Sequence, residues 1–252
     1  MTPAAAGKTT IVLLPGLHGT TGPFAPFLRE CPPQFSPVAL SFPLHRPLGY
    51  DELEEYVMAR LPRAGRLILL GESFSGPLAL RLAARGPHGL AAVVLSASFV
   101  RSPAPAFLRH LPWDLIARLI VPAAFLRYAL AGGKRWAHLL PEIKQAVRDL
   151  RPDVLAQRIR SLLSVDAKRE LVCCPVPILY LQGLRDRLVP SRCFQEIASV
   201  RPDTRRRTID APHMLLQAAP QEAWRCIEEF LDQAIQCCHP DPPSNMLTQG
   251  RG

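Results

Sequence analysis

Short apolar runs alternate with segments of helical periodicity along most of the chain. The apolar runs predict strands over residues 11–14, 38–42, 67–70, 91–95, 176–181 and 204–209. The periodic segments predict helices over residues 51–61, 77–84, 191–199 and 221–234. Because short buried strands that alternate with helices form parallel sheets covered on both faces, we predict an α/β fold with a doubly wound, mostly parallel sheet. Ligands of such sheets bind at the carboxyl ends of the strands.

The alternation stops between residues 101 and 169. This segment has no strand pattern, several separated prolines, and bulky residues such as Trp113, Phe125 and Trp136 in helical surroundings. We predict that it is a helical cap inserted into an α/β core formed by residues 8–100 and 170–236. We predict that residues 237–252 form a disordered tail, because most of this segment is rich in Pro, Asn, Gln and Gly.

Composition indicates a folded protein with a basic surface. The chain has 252 residues, of which 48% are hydrophobic and 20% charged, and its formal net charge is +9. The basic residues are mostly single arginines, the only tight run is Arg205-Arg206-Arg207, and aromatic residues are not interleaved with them as a base-stacking surface requires. We therefore predict no nucleic-acid partner.

Three features predict a cytoplasmic location. No apolar run of signal-peptide length precedes Pro15. The apolar stretch 119–126 contains Pro122 and is flanked by Arg118 and Arg127, so stable membrane insertion is not predicted. Seven cysteines in a chain of 252 residues do not form a compact disulfide framework, and we expect reduced thiols. The sequence carries no signal of the oligomeric state.

The stretch LLGESFSGPLAL, residues 69–80, contains the candidate nucleophile. Ser73 falls where the strand at 67–70 meets the following helix, at the carboxyl end of a central strand. A tight turn at that point exposes one side chain and requires small residues two positions before and after it, and Gly71 and Ser75 satisfy this. Gly76 lets the helix and the strand approach closely. We predict Ser73, and not Ser75, as the nucleophile.

A serine hydroxyl needs a base, and the base needs an acid that orients it. His213 lies four residues beyond the predicted strand 204–209, which places it over a central-strand nucleophile. Asp186 lies five residues beyond the strand 176–181, again at a carboxyl end. Asp210, three residues before His213, is the alternative acid, and the strand-end position favours Asp186.

Two backbone amides are the candidate donors for the oxyanion of a tetrahedral intermediate. Phe74 follows the nucleophile and begins a helix, whose N-terminus is electropositive. The second amide is that of Leu17, in the turn after the first strand, where Gly16 is expected to let the backbone twist towards the site. His18, beside Leu17, is either part of the substrate pocket or a partly exposed loop residue.

The ordered set LLPGLHGTTG, GESFSGP, GLRDRLVP and APHMLLQ resembles the α/β-hydrolase superfamily, whose catalytic residues follow the chain order Ser, Asp, His. The resemblance covers residues 10–231, and the segment 101–169 stands in the place of the family's cap. It implies Ser73 as nucleophile, Asp186 as orienting acid and His213 as base. It also implies an oxyanion hole formed by the amides of Leu17 and Phe74.

Two positions depart from the family's usual pattern. Pro15 precedes Gly16 where many members have His, and Ser75 stands where most members have Gly. Neither change removes a catalytic atom, so the expected chemistry is unaffected.

The reaction predicted from these residues is hydrolysis of a carboxylic ester of a small or medium acyl group through an acyl-serine intermediate. It needs no cofactor, and no histidine and carboxylate cluster with the spacing of metal ligands is apparent. Acyl transfer and thioester hydrolysis use the same triad and stay open as alternatives, as does a catalytically silent hydrolase fold that binds a small molecule or a partner protein.

Overall fold

A single parallel sheet organises the computed structural model, which describes residues 8–118 and 134–238. Its strands are β1 (Thr9–Leu14), β2 (Phe35–Ala39), β3 (Leu67–Glu72), β4 (Leu90–Ser96), β5 (Ile178–Gly183) and β6 (Arg205–Ile209). They lie side by side in the order β2-β1-β3-β4-β5-β6, and every neighbouring pair is parallel. The α/β fold with a doubly wound parallel sheet is therefore confirmed, with all six strands close to their predicted positions.

Strand β2 is the one whose bounds differ most from the prediction. It pairs with β1 from Phe35 to Ala39, whereas the apolar pattern predicted residues 38–42. Beyond Ala39 the chain stays hydrogen-bonded to the β1 side, first through Leu40 N–H to Leu13 O at 3.1 Å and then through Phe42 N–H to Gly19 O at 2.8 Å. Leu40 thus still follows β1, and Phe42 follows the loop after β1 and not the sheet.

Helices cover both faces of the sheet. They are α1 (Ala25–Arg29), α2 (Tyr50–Met58), α3 (Ser75–Ala84), α4 (Trp113–Ile116), α5 (Leu140–Arg148), α6 (Pro152–Ser164), α7 (Lys168–Cys173), α8 (Arg192–Val200), α9 (Leu215–Ala218) and α10 (Pro220–Cys238). Short 3-10 helices occupy Gly22–Phe24, Ala106–His110 and Lys134–Leu139. No helix within the described ranges combines the length and the apolarity needed to cross a bilayer.

Alternate residues of the strands enter two separate cores, because successive side chains of a strand point to opposite faces. Val12, Leu69 and Val93 pack on one face with residues of α2, α3, α7 and α8. The residues next to them, such as Leu13 and Leu70, pack on the other face with α1, α9 and α10. Burial on both faces explains why the central strands are apolar throughout.

The two ends of the predicted cap meet beside the sheet. An isolated antiparallel bridge joins Arg101 to Asp166, and Ala167 N–H donates to Val100 O at 2.9 Å. Helix α7, which begins at Lys168, packs in the core through Leu171. Residues 119–133, which include the predicted apolar stretch 119–126, and residues 239–252 lie outside the described chain. Helix α10 reaches Cys238, so the first two residues of the predicted tail are helical.

The turn from β3 to α3 is packed so tightly that it needs small residues. A Cβ on Gly71 would lie 2.4 Å from Ser75 O, and a Cβ on Gly76 would lie 1.7 Å from the Oγ of Ser98, in the segment after β4. The Ser98 hydroxyl in turn donates to Ser73 O at 2.6 Å. Gly76 is therefore required by close approach, as the sequence indicated, but its neighbour is the segment after β4.

We predict that Gly76→Ala lowers the free energy of unfolding by about 2 kcal/mol or more, because its methyl group overlaps Ser98. Adding Ser98→Gly should recover part of this loss, because it removes the overlapping atoms. Chemical denaturation of the two single variants and the double variant measures the coupling. Gly22→Ala, whose Cβ would meet no atom within 4 Å, is the matched control, and additive losses in the double variant would contradict the steric explanation.

Candidate active site

Three loops at the carboxyl edge of the sheet bring together a hydroxyl, an imidazole and a carboxylate. Ser73 follows β3, Asp186 follows β5 and His213 follows β6. Ser73 Oγ lies 2.9 Å from His213 Nε2, and His213 Nδ1 lies 2.9 Å from Asp186 Oδ2. The structure therefore places the three residues selected from the sequence in one hydrogen-bonded row.

Ser73 has a backbone conformation that residues other than glycine rarely adopt. Its φ is 50°, one of two positive values among the non-glycine residues of the described chain, the other being that of Ala97. Its N–H donates to Ser96 O at 2.8 Å. Tyr50 stacks on Phe74 and donates its hydroxyl to Phe74 O at 2.7 Å, and the Ser75 hydroxyl donates to Pro15 O. Contacts from several segments thus hold a strained turn that projects Ser73 from its apex. Ser75, the rejected nucleophile, is buried.

The environment of His213 fits the role of a base. Because a carboxylate only accepts, Nδ1–H donates to Asp186 and Nε2 is left as the acceptor for the Ser73 hydroxyl. Burial lowers the pKa of His213, but the charges of Asp186 and Glu72 and the hydrogen bond to Asp186 outweigh it, so that the pKa is raised above its ordinary value of 6.5. A more basic imidazole accepts a serine proton more readily.

Asp186 is held by its own loop, whereas Asp210 is occupied elsewhere. Oδ1 of Asp186 accepts from the amides of Leu188 and Val189 at 2.8 and 2.9 Å, which leaves Oδ2 for His213. Asp210 is about half exposed and pairs with Arg185 at 2.5 Å and Arg135 at 3.0 Å. The geometry thus favours Asp186 as the partner of His213.

The loop after β1 lies beside Ser73, with the amide of Leu17 at its centre. Gly19 N–H donates to Gly16 O at 3.0 Å and closes a turn around Leu17 and His18. The positive φ in this turn is that of Gly19, at 74°, and the φ of Gly16 is not positive. The expectation that Gly16 supplies the unusual backbone twist is therefore wrong, because Gly19 supplies it. No backbone carbonyl in the described ranges accepts from the Leu17 or the Phe74 amide.

Arg158, on α6, is a buried cation that sequence reasoning missed. It is 1% exposed, and its two terminal nitrogens donate to Leu17 O at 2.9 Å and to Pro43 O at 3.0 Å. Burial lowers the pKa of Arg158 to about 10, so it stays charged at neutral pH. Among the described residues no carboxylate pairs with it. Arg158 and Arg160 both lie on this amphipathic helix, and nothing in the sequence distinguished the buried arginine from the partly exposed one.

The Arg158 contact orients the peptide that follows Leu17. Its guanidinium fills the space beside Gly19, where a Cβ would lie 2.3 Å from one of its nitrogens. A charged donor on a carbonyl is a strong hydrogen bond, and here it fixes the loop that carries the Leu17 amide. The described part of the predicted cap is thereby tied directly to the candidate oxyanion loop.

Glu72 and Gln217 form a second link beneath the site. Glu72 precedes the nucleophile and is 2% exposed, and its Oε1 accepts from Gln217 Nε2 at 2.9 Å. Gln217 lies on α9, directly after the loop of His213. The hydrogen bond therefore joins the turn at Ser73 to the segment that carries the base.

A cavity of about 530 Å³ opens above Ser73 and His213. Its wall is largely apolar and includes Pro23, Phe99, Leu162, Val189 and Met214. A pocket of this size and character is typical of sites that bind small, largely apolar ligands. Within residues 8–118 and 134–238, no cluster of three His, Cys, Asp or Glu side chains has the arrangement of a metal site.

His18 lines the same cavity and is neutral at physiological pH. Its Nδ1 accepts from Thr20 N–H at 3.1 Å. Burial, together with the charges of Arg158 and His213, lowers the pKa of His18 to about 4. The structure thus places His18 at the wall of the cavity, in a loop and partly exposed, so both predicted descriptions of this residue apply.

The hydrolase class of α/β proteins is defined by a parallel sheet with a hydrogen-bonded serine, histidine and acid at its carboxyl edge. The serine lies on a strained turn, as Ser73 does here. A family model described as the Alpha/beta hydrolase family matches residues 11–225. The chain belongs to this family.

Curated relatives and solved structures agree with this assignment. The Pimeloyl-[acyl-carrier protein] methyl ester esterase of Xanthomonas oryzae pv. oryzae (strain MAFF 311018) is 30% identical over 220 residues, which cover 79% of this chain and 85% of the relative. A hydrolase from Pseudomonas aeruginosa PA01 superposes with a TM-score of 0.75 at 17% identity, over 90% of this chain and 91% of that one. An esterase from Exiguobacterium antarcticum superposes with a TM-score of 0.74 at 13% identity, over 90% and 93%. At such identities the two structures are evidence for the fold.

We predict that His18 weakens the fold in mild acid. Its pKa is about 4 in the folded protein and about 6.5 when unfolded, so the unfolded chain binds the extra proton between these values. The free energy of unfolding should fall by about 2 to 3 kcal/mol as the pH drops from about 6.5 to about 4. In His18→Asn the amide oxygen can still accept from Thr20 N–H, and this variant should not show that acid-dependent loss in the free energy of unfolding.

Denaturant titrations at several pH values compare the wild type with His18→Asn and with His88→Asn, which alters an exposed histidine. The His88 variant should follow the wild type. Equal acid sensitivity of all three proteins would contradict a buried neutral His18.

Proposed function

We propose that this protein hydrolyses carboxylic esters of small or medium acyl groups through an acyl intermediate on Ser73. The observation that carries the proposal is the hydrogen-bonded row of Ser73, His213 and Asp186. Membership of the α/β hydrolase family and relatives named as esterases support the choice of ester hydrolysis.

In the first half of the reaction, Ser73 Oγ attacks the ester carbonyl while His213 Nε2 takes the hydroxyl proton. Asp186 stabilises the resulting imidazolium and holds its orientation. The amides of Leu17 and Phe74 stabilise the oxyanion, and His213 then gives the proton to the departing alcohol. Water repeats the sequence on the acyl-serine and releases the acid.

The cavity supports an apolar acyl group. Leu162 of α6 and the segment around Pro103 contribute to its wall, so residues 101–169 act in this proposal as a cap over the acyl chain. The relative from Xanthomonas oryzae is named for a methyl ester, which points to a small leaving alcohol as the first choice for this chain as well.

We predict that Ser73→Ala and His213→Ala each reduce kcat/KM by about a thousandfold or more, because nucleophile and base act as one unit. Asp186→Asn should also be strongly impaired, because an amide cannot hold the imidazole in the required tautomer. The assay uses p-nitrophenyl esters with acyl chains of about two to twelve carbons, and methyl esters of the same acids.

A fluorophosphonate probe provides an independent measurement, since it should label the wild type and not Ser73→Ala. Asp210→Asn is the matched control for Asp186→Asn, because Asp210 lies on the same edge of the sheet but pairs with arginines. A wild type that is inert towards all esters and unlabelled by the probe would contradict the proposal and favour a silent binding fold.

A further inference from the structure

Two buried polar atoms beside Gly16 have no part in the mechanism described so far. His18 Nε2 and Glu72 Oε2 are buried and have no hydrogen-bond partner among the described residues. A Cβ built on Gly16 would lie 3.5 Å from the first atom and 3.8 Å from the second, so both border the space that the glycine leaves open. We call this space the Gly16 niche. Its three residues also border the cavity that Ser73 and His213 line.

One wall of the Gly16 niche is a hydrogen-bond donor. Because Nδ1 of His18 accepts from Thr20 N–H, the proton of the neutral ring is on Nε2. The lowered pKa of His18 keeps the ring neutral at physiological pH. Nε2–H therefore offers one donor to the niche.

The opposite wall is a carboxylate oxygen. Glu72 uses Oε1 to accept from Gln217, and Oε2 meets no donor with hydrogen-bond geometry. Burial raises the pKa of Glu72 above its ordinary value, and it outweighs the hydrogen bond from Gln217, the charge of His213 and the nearby Gly16 amide, which act in the opposite direction. Leaving a buried donor and a buried acceptor unmatched is costly, which makes this pair a candidate binding site.

The chemistry of the two walls selects a hydroxyl group. A carbonyl oxygen would match His18 and leave Glu72 unmatched, whereas a cation would match Glu72 and oppose the His18 donor. A hydroxyl oxygen accepts from His18 Nε2–H and donates to Glu72 Oε2. The niche is small, since one methyl group on Gly16 would already contact both walls.

We propose that the Gly16 niche binds the water molecule that hydrolyses the acyl-enzyme, a step that rests on the proposed function. This water accepts from His18 Nε2–H, donates one proton to Glu72 and directs the other to His213 Nε2. Its remaining lone pair forms the bond to the acyl carbon as His213 takes the proton. The bond from the acyl carbon to Ser73 Oγ then breaks, and Oγ recovers the proton from His213.

The sharpest test is Gly16→Ala, which fills the niche without strain. Gly16 has an ordinary φ, and its Cβ would make contacts of 3.5 Å or longer. We expect acylation to continue and deacylation to slow by about tenfold or more, so that the acyl-enzyme accumulates. Stopped-flow measurement of p-nitrophenol release should show a burst of about one equivalent before a slow steady state, and intact-mass spectrometry should detect acylated protein.

Two further variants complete the experiment. Gly22→Ala adds a methyl group in the same loop with no atom within 4 Å, and it should deacylate like the wild type. Glu72→Gln keeps the shape of the side chain and removes the acceptor charge, and it should also slow deacylation more than acylation. This second variant tests the niche even where Gly16→Ala folds poorly.

If the wild type turns over esters and deacylation is unchanged in both Gly16→Ala and Glu72→Gln, the water site in the Gly16 niche is refuted and the proposed function stands. An equal loss in acylation and deacylation would refute the water site as well, since that pattern indicates disturbance of the Leu17 amide. A wild type that forms no acyl-enzyme would instead refute the proposed function itself.

Discussion

The left-handed backbone at Ser73 is the constraint on which the arrangement of the site depends. A φ of 50° costs a non-glycine residue about 1–2 kcal/mol, so packing around the turn must offset it. Ser98, Tyr50 and Pro15 supply hydrogen-bonding partners to the residues of this turn from three other segments. The same contacts that hold the strained turn therefore fix the loops after β1 and β4 relative to the nucleophile.

The parallel sheet explains how distant parts of the chain meet at this turn. Every strand ends at the same edge, so the loops after β3, β5 and β6 converge although Ser73 and His213 are 140 positions apart. Arg158 adds a link from outside the sheet. Its charge, unpaired among the described residues, holds the Leu17 carbonyl in place from α6, and this makes the loop after β1 depend on the described part of the cap.

Sequence patterns predicted those features that follow from local rules. Apolar runs located the strands, and the strand-end rule selected Ser73, Asp186 and His213, whose side chains the structure brings within hydrogen-bonding distance. Contacts made through packing left no such pattern. The hydrogen bond from Arg158 to Leu17 spans 141 positions and that from Gln217 to Glu72 spans 145. Arg158 and Gln217 are not distinguished by their neighbours in sequence, so only the folded chain shows these two pairings.

Two histidines that line one cavity show how different surroundings give identical side chains different pKa values. His213 is buried and His18 is partly buried, and removal from water disfavours the charged form of each ring. His213 faces Asp186 and Glu72, and its pKa rises, whereas His18 faces the cation Arg158 and its pKa falls to about 4. His213 is thereby suited to exchange a proton, and His18 is suited to keep one. A neutral His18 with a fixed Nε2–H can orient a neighbour without competing for the proton that moves between Ser73 and His213.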